Sequence, residues 1–179
     1  GVMIPISVGR EKSLKLIRQV YQGNKIVGAI AQRDAGIDEP KTSDLYEYGT
    51  IIQIVRILEM PDNSTTIIAQ GKRRFKVDEY LSDEPFFTAK IETIDEIMPE
   101  KEQLSEFEAV TGSIRDLAMR IVHLTPNMPR EADFAIRNIE NKFFMLNFVC
   151  VNSSISTETK QTLLEESDIF KRSIKLLEL

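Results

Sequence analysis

The sequence has few of the residues that most often build catalytic and metal centres. Among 179 residues there are one cysteine, one histidine and no tryptophan. One cysteine excludes an internal disulfide, which favours a reducing compartment such as the cytoplasm. One cysteine and one histidine are also too few for a zinc site built from these two residue types. We therefore expect no metal centre in this chain.

Long apolar runs, a leader sequence and a surplus of positive charge are absent as well. No run approaches about 18 apolar residues, so the sequence predicts no transmembrane helix and no membrane partner. The opening residues 1–5 lack the regions of a signal peptide and instead indicate a chain that begins inside a longer protein. The net charge is −5 and the pI is near 5.1, which disfavours a global attraction to nucleic acid.

Catalytic motifs are the third absence. The sequence has no G-x-S-x-G nucleophile elbow and no H-E-x-x-H zinc-protease motif. Cys150 and His123 could form a dyad, but both lie in apolar, helical segments where a buried cysteine is ordinary. The carboxylate pairs lie in polar, turn-like surroundings with no sign of burial. These residues therefore predict a non-catalytic binding module rather than an enzyme.

The first half of the chain, residues 1–98, carries mostly strand-like patterns. A helical stripe at 13–22 ends at Gly23, which is a usual helix stop. Strands are predicted from β-branched runs and period-2 alternation, and a strong turn signal at 61–64 joins two of them into a hairpin. The predicted strands are 26–31, 50–58, 65–70, 72–80 and 87–92. This half is therefore expected to be a mostly antiparallel β structure with one packed helix.

The second half, residues 99–179, has the pattern of an all-helical unit. Apolar residues recur at steps of three and four from Leu104 to Leu124. Further helices are predicted at 131–139 and 142–151, with Ser156 and Asp168 capping two more. The last helix is still periodic at the end of the sequence, which predicts that it continues in a longer protein. The fold class is therefore α+β, with the boundary between the halves at 98/99.

Two polar segments have more than one interpretation. The basic cluster Lys72, Arg73, Arg74 and Lys76 surrounds Phe75. It either contacts a phosphate backbone or is a solvated strand that charge protects against edge pairing. The polar loop at 33–44 is longer than most connections and is either the lip of a binding site or a surface excursion.

Short motifs occur in an order and spacing that match a known family. Residues 5–13, PISVGREKS, correspond to the signature P-h-x-V-G-R-x-x-S at the entry to a helix. The motifs AQ (31–32), DEP (38–40), DLY (44–46), GT (49–50), LEMPD (58–62) and QGKRR (70–74) follow in order. In the helical half, LLEESD at 163–168 corresponds to an L-L-E-x-x-D turn. The sequence thus resembles the N-terminal domain of Lon, the ATP-dependent protease.

The resemblance implies both a fold and a function. The fold would be a PUA-like β pseudo-barrel followed by a helical bundle that ends in a long helix. The family's usual opening strand has no counterpart here, so one strand is expected to be missing. The function would be to recognise unfolded or damaged polypeptides for a homohexameric ATP-dependent serine endopeptidase. No cofactor is implied for this fragment, whereas the parent would use ATP and Mg²⁺.

Exposed apolar and charged residues are the candidates for substrate binding. Met and Phe suit promiscuous contact because they bury large areas and adapt in shape. The candidates are Met3, Pro5, Arg10, Glu11, Lys12, Phe86, Phe87 and Met98. Each has a structural interpretation too, as a core or hinge residue or, for Glu11, as a complement to the helix dipole. Two other functions stay open: a PUA-like module that binds nucleic acid through the basic cluster, and a stand-alone Lon-domain binding protein.

Overall fold

The computed structural model describes the backbone of residues 1–179 and every side chain except that of Arg130. The chain forms two compact units, residues 1–95 and 96–179. The division therefore falls between Asp95 and Glu96, three residues before the boundary placed from the sequence. The first unit holds an antiparallel sheet and one helix, and the second is helical. The predicted α+β class is confirmed.

The first unit is organised around one long strand. Its elements are β1 (Met3–Val8), α1 (Glu11–Tyr21), β2 (Ile26–Ala29), β3 (Tyr48–Glu59), β4 (Thr65–Ser82) and β5 (Thr88–Ile94). The strand order is β1-β4-β3-β2, and β5 also pairs with β4. The sequence pattern predicted two separate strands, 65–70 and 72–80. In the structure they form one strand, β4, which runs through Gly71 without a break. Its first part pairs with β1 and its later part with β5, and both pairings are antiparallel.

The core of the first unit lies between the sheet and α1. Ile17 is the buried residue of α1, and it packs with Ile52, Ile54, Ile67 and Ala69 of β3 and β4. The strand β1 was not predicted from the sequence. It alternates between exposed and more buried residues and contributes Val8 to the same cluster. Burial on one face with polar or exposed positions on the other is what holds a short strand in register.

The second unit is a group of helices around an aromatic and aliphatic core. The helices are α2 (Leu104–Leu124), α3 (Arg130–Asn138), α4 (Lys142–Asn152), α5 (Thr157–Glu165) and α6 (Ile169–Leu177). Both predicted caps form: Ser156 accepts a hydrogen bond from Thr159 N, and Asp168 accepts one from Lys171 N, each at 3.1 Å. The longest helix is α2, with 21 residues, and α6 has nine. Over the described residues, none of the helices has the length and apolar character needed to cross a membrane.

A buried arginine ties the beginning of the second unit to its last helix. Arg172 of α6 lies 2.9 Å from the Glu96 carboxylate, and its Nε donates to the backbone oxygen of Glu166 at 2.9 Å. The backbone of Ile97 reinforces this link, because its N–H donates to Ser167 O and its oxygen accepts from Ile169 N. The segment that follows the division at 95/96 is therefore integral to the second unit.

Candidate functional site

A large open groove lies on the first unit. Its volume is about 1310 Å³, which exceeds the roughly 300–1,000 Å³ typical of small-molecule sites. Its walls come from the start of α1, the strands β2 and β5, and the loops at 38–42 and 83–87. Ile51 of β3 and the buried Phe75 of β4 lie at its base. The size and the open form leave room for a ligand larger than a metabolite.

Much of the groove is apolar, and part of that surface faces solvent. Ile26 on β2 and Ile91 on β5 are 45% and 38% exposed. Phe86 and Phe87 are half-buried, and Phe87 packs edge-on against Tyr80 with the ring centroids 6.2 Å apart. Exposed apolar surface inside a concave site is typical of a place where an apolar ligand binds.

One lip of the groove is held by Arg10. Its Nε donates to Asp38 O at 2.7 Å, and its Nη2 donates to Gln32 Oε1 at 2.6 Å. Gln32 in turn donates to Ile37 O at 2.9 Å. These bonds attach the polar loop at 33–44 to the start of α1, and residues 38–42 of that loop line the groove. The structure therefore supports the interpretation of this loop as a lip.

The opposite lip is held by Lys12. Its Nζ lies 2.7 Å from Glu84 Oε1, donates to Asp83 O at 2.9 Å and lies 5.6 Å from the centre of the Phe87 ring. The hydrogen bond with Glu84 raises the pKa of Lys12, so the ammonium stays charged at neutral pH. The first turn of α1 thus holds both lips, and the charges of Arg10 and Lys12 are engaged within the unit rather than directed only at a ligand.

Replacing Arg10 by alanine is expected to loosen the first lip without unfolding the unit. Loss of its bonds to the loop should speed amide hydrogen exchange at 33–44 by about tenfold, because hydrogen bonds to a charged group are the stronger kind. Exchange in β3 should not change. Lysine at this position should restore little, because it lacks the planar fork of donors.

Lys15→Ala is the matched control for that measurement. It removes a cation from the same helix, one whose partner is Glu11 rather than a loop residue. Hydrogen exchange followed by mass spectrometry separates the two variants. Equal exchange of the loop in both would show that Arg10 does not hold the lip.

The eight sequence-derived candidates divide into those in the groove and those elsewhere. Arg10, Glu11, Lys12, Phe86 and Phe87 all line it. Met3 and Pro5 lie on β1, opposite Gln70 and Ile68 of β4, outside the groove lining. Met98 is 53% exposed in the second unit. The role of each residue in binding stays a prediction.

Several groove residues were missed by reasoning from the sequence. They are Ile26, Val27, Ile51, Tyr80 and Ile91. Each is an ordinary strand residue, and only the pairing of distant strands brings them to one place. The one available signal was the run of apolar residues on both faces of the predicted strand 50–58, which indicates a strand covered on both sides and includes Ile51. Burial raises the pKa of Tyr80, so its hydroxyl stays protonated at neutral pH.

The side chains of the basic cluster have different surroundings in the sheet. Arg74 is 8% exposed, and Arg73 forms an ion pair with Asp95 at 2.5 Å. Lys72 donates to Gln70 Oε1 at 2.8 Å, and Lys76 lies over a tyrosine ring. The exposed positive surface is therefore smaller than the sequence implied. Binding of nucleic acid through these residues stays a prediction.

Cys150 and His123 have separate surroundings in the second unit. His123 Nε2 lies 3.1 Å from Asp133 on α3. Burial raises the pKa of the Cys150 thiol to about 11, so the thiol is neutral and a poor nucleophile at physiological pH. Among the described side chains, the structure shows no group of three or more His, Cys, Asp or Glu residues positioned to hold a metal ion.

Cys150 is expected to react slowly with thiol reagents until the second unit unfolds. At pH 8 a disulfide reagent should modify it rapidly in guanidinium and slowly in buffer. The free energy of unfolding should also fall as the pH rises from about 9 to about 11, because only the unfolded state ionises its thiol in that window. The fall should be about 2 kcal/mol larger than in Cys150→Ala. Equal pH dependence of the two proteins would contradict the burial of this thiol.

Comparison with known proteins shows one family over the whole chain. Residues 1–179 match the family described as the ATP-dependent protease La (LON) substrate-binding domain. The Lon protease of Flavobacterium johnsoniae is 43% identical over 177 residues, which cover 99% of this chain and 22% of that protein. The Lon protease of Porphyromonas gingivalis is 42% identical over 178 residues, covering 99% and 21%. The chain thus spans about a fifth of the length of these curated relatives.

Solved structures agree on the fold. The N-terminal domain of a Mycobacterium avium complex Lon protease superposes with a TM-score of 0.74 at 15% identity, covering 99% of this chain and 89% of that one. A Lon N-terminal domain protein from Xanthomonas campestris gives a TM-score of 0.66 at 15% identity over the same shares. At this identity the likeness supports the fold alone.

Proposed function

This chain belongs to the LON substrate-binding domain family, and from that membership we propose that it binds unfolded or damaged polypeptides through the groove of its first unit. The observation that carries the proposal is the large groove with partly exposed apolar walls. Such a surface binds apolar segments. These segments are buried in a native protein and exposed in a damaged one, so the surface distinguishes the two.

The contacts around the groove fit a binder of many sequences. Phe86 and Phe87 offer large apolar area on a loop that Lys12 positions. Aromatic rings on such a loop accept different side chains without a fixed pattern of hydrogen bonds. Ordering a disordered ligand costs free energy, so the affinity should be in the micromolar range or weaker.

The wider role is also a proposal. The relatives are named Lon protease, and this chain matches about a fifth of their length. We propose that the domain acts within such a protein in the cytoplasm and delivers captured polypeptides to ATPase and peptidase modules. Those modules would use ATP and Mg²⁺ and assemble as a homohexamer. In this view the domain selects substrates and performs no chemistry itself.

The test compares one protein in two states. The ligand is ribonuclease A that has been reduced and blocked with iodoacetamide, and the control is native ribonuclease A, which has the same basic side chains but keeps its apolar segments buried. We expect binding of the unfolded form by calorimetry, with modest loss at high salt, and no binding of the native form. Equal binding of both forms, or binding of neither, would remove the proposal.

A further inference from the structure

We propose that the groove takes its ligand as an added β-strand and favours an apolar segment flanked by basic residues. This inference rests on the proposed function and narrows the class of polypeptide that the groove binds. It depends on two observations: the backbone edges that border the groove, and the charges on its lips.

Two outer strands of the sheet border the groove. Among the described strands, β2 pairs with β3 and β5 pairs with β4, so each has one side without a neighbouring strand. Both line the groove, β2 through Ile26, Val27 and Gly28, and β5 through Ala89 and Ile91. An outer strand presents a row of N–H and C=O groups with which an extended peptide pairs.

The backbone groups of Gly28 lie on the open side of β2. Ile54 N donates to Lys25 O at 2.8 Å, and the direction of these bonds alternates along an antiparallel pair. The backbone groups of Val27 therefore face β3, whereas those of Gly28 face away from it. A Cβ at Gly28 would lie only 3.1 Å from Phe75 Cζ. Glycine at this position therefore allows the Phe75 ring to pack closely against β2.

The lips of the groove carry an excess of negative charge. Five acidic and three basic side chains line it, a formal charge of −2. Asp38 and Glu39 lie on the first lip, and Asp83 and Glu84 on the second. Lys12 pairs with Glu84 and Lys15 with Glu11, which cancels these charges, so the negative excess rests on Asp38, Glu39 and Asp83 at the lips. A peptide with cations at both ends of an apolar segment matches this arrangement, and one with acidic ends does not.

The charge preference is tested with three labelled peptides. Each has six central residues that alternate between Val or Phe and Thr, and the flanks are pairs of Lys, Gln or Glu. Fluorescence anisotropy should give the order Lys, Gln, Glu, with about a tenfold difference in Kd between Lys and Glu flanks at low salt, shrinking as salt screens it. Glu39→Gln with Asp83→Asn should reduce that difference. Glu102→Gln with Asp116→Asn, the same charge change on exposed residues of the second unit, should not.

The added strand is tested by methylating backbone nitrogens of the Lys-flanked peptide. A strand on an edge forms hydrogen bonds through every second residue. Methylation of one alternate set of central residues should therefore weaken binding by about tenfold or more, and methylation of the other set should have little effect. Equal effects of the two sets would overturn the added strand.

The outcomes separate this inference from the function on which it rests. If unfolded ribonuclease A binds but the peptides show neither the charge order nor the alternation, the inference fails and the proposed function stands. If no unfolded ligand binds, both fail. Peptide binding that disappears in a full-length Lon protease relative also overturns the inference, because another segment of that protein then covers the groove.

Discussion

Replacing Arg172 by alanine is expected to lower the free energy of unfolding of the second unit by about 2–3 kcal/mol. The guanidinium is buried and binds both the Glu96 carboxylate and the backbone oxygen of Glu166. Its removal leaves a cavity and takes a charged donor away from Glu96 and from the backbone oxygen of Glu166, which costs more than the intact pair contributes. Methionine at this position combined with Glu96→Gln should recover part of the loss, because no charge then remains in the site.

The distribution of tyrosines makes this measurement selective. Tyr21, Tyr46, Tyr48 and Tyr80 all lie in the first unit, so tyrosine fluorescence reports on that unit. Far-UV circular dichroism is dominated by the helices of the second. In Arg172→Ala the dichroism transition should move to lower denaturant while the fluorescence transition moves less. Lys171→Ala, at the exposed neighbouring position, is the control, and an equal shift in both variants would contradict the account.

Replacing Phe86 and Phe87 together by serine is expected to weaken binding of unfolded ribonuclease A by about 10–100-fold. Buried aromatic anchors in a binding site typically contribute about 1–2 kcal/mol or more each, and both rings line the groove. The double substitution also removes the contact between Phe87 and Tyr80. A second variant therefore separates the loss of a binding contact from a change in the loop. Ile26→Ser with Ile91→Ser removes exposed groove side chains instead and should weaken binding in the same direction.

The matched control lies on β1 of the same unit. Met3 and Pro5 are exposed, apolar and outside the groove lining. Met3→Ser with Pro5→Ser should leave the Kd for unfolded ribonuclease A within about twofold of the parent value, since surface changes away from the site have small effects. A loss of binding as large as that of the aromatic variant would move the site to β1.

Helices and their ends were accessible from the sequence because their signals are local. A stripe at steps of three and four residues identified α2, and the capping residues Ser156 and Asp168 marked the beginnings of α5 and α6. The strands were harder to predict from the sequence than the helices. Six residues that include Pro5 carry little pattern, so β1 was missed. Gly71 indicated a break, whereas pairing on both sides carries β4 through it.

Some residues of the candidate site could be predicted from the sequence, but their arrangement in space could not. Phe86 and Phe87 were selected by residue type, and Arg10 and Lys12 because they begin a helix expected to flank the same face. The partners of the two cations lie far along the chain: Arg10 bonds to a residue 28 positions away and Lys12 to one 71 positions away. Nothing local in the sequence indicates such partners. The structure therefore gives Arg10 and Lys12 a positioning role in addition to the contact role predicted for them.

We expect unfolded polypeptide to bind in the groove of the first unit. Mapping of backbone amide NMR shifts during titration with reduced, blocked ribonuclease A tests it most directly. We expect the changes to concentrate in β2, in the lips at 33–44 and 83–87, and in β5. Changes confined to the second unit, to β1 or to the basic segment 72–76 would contradict it.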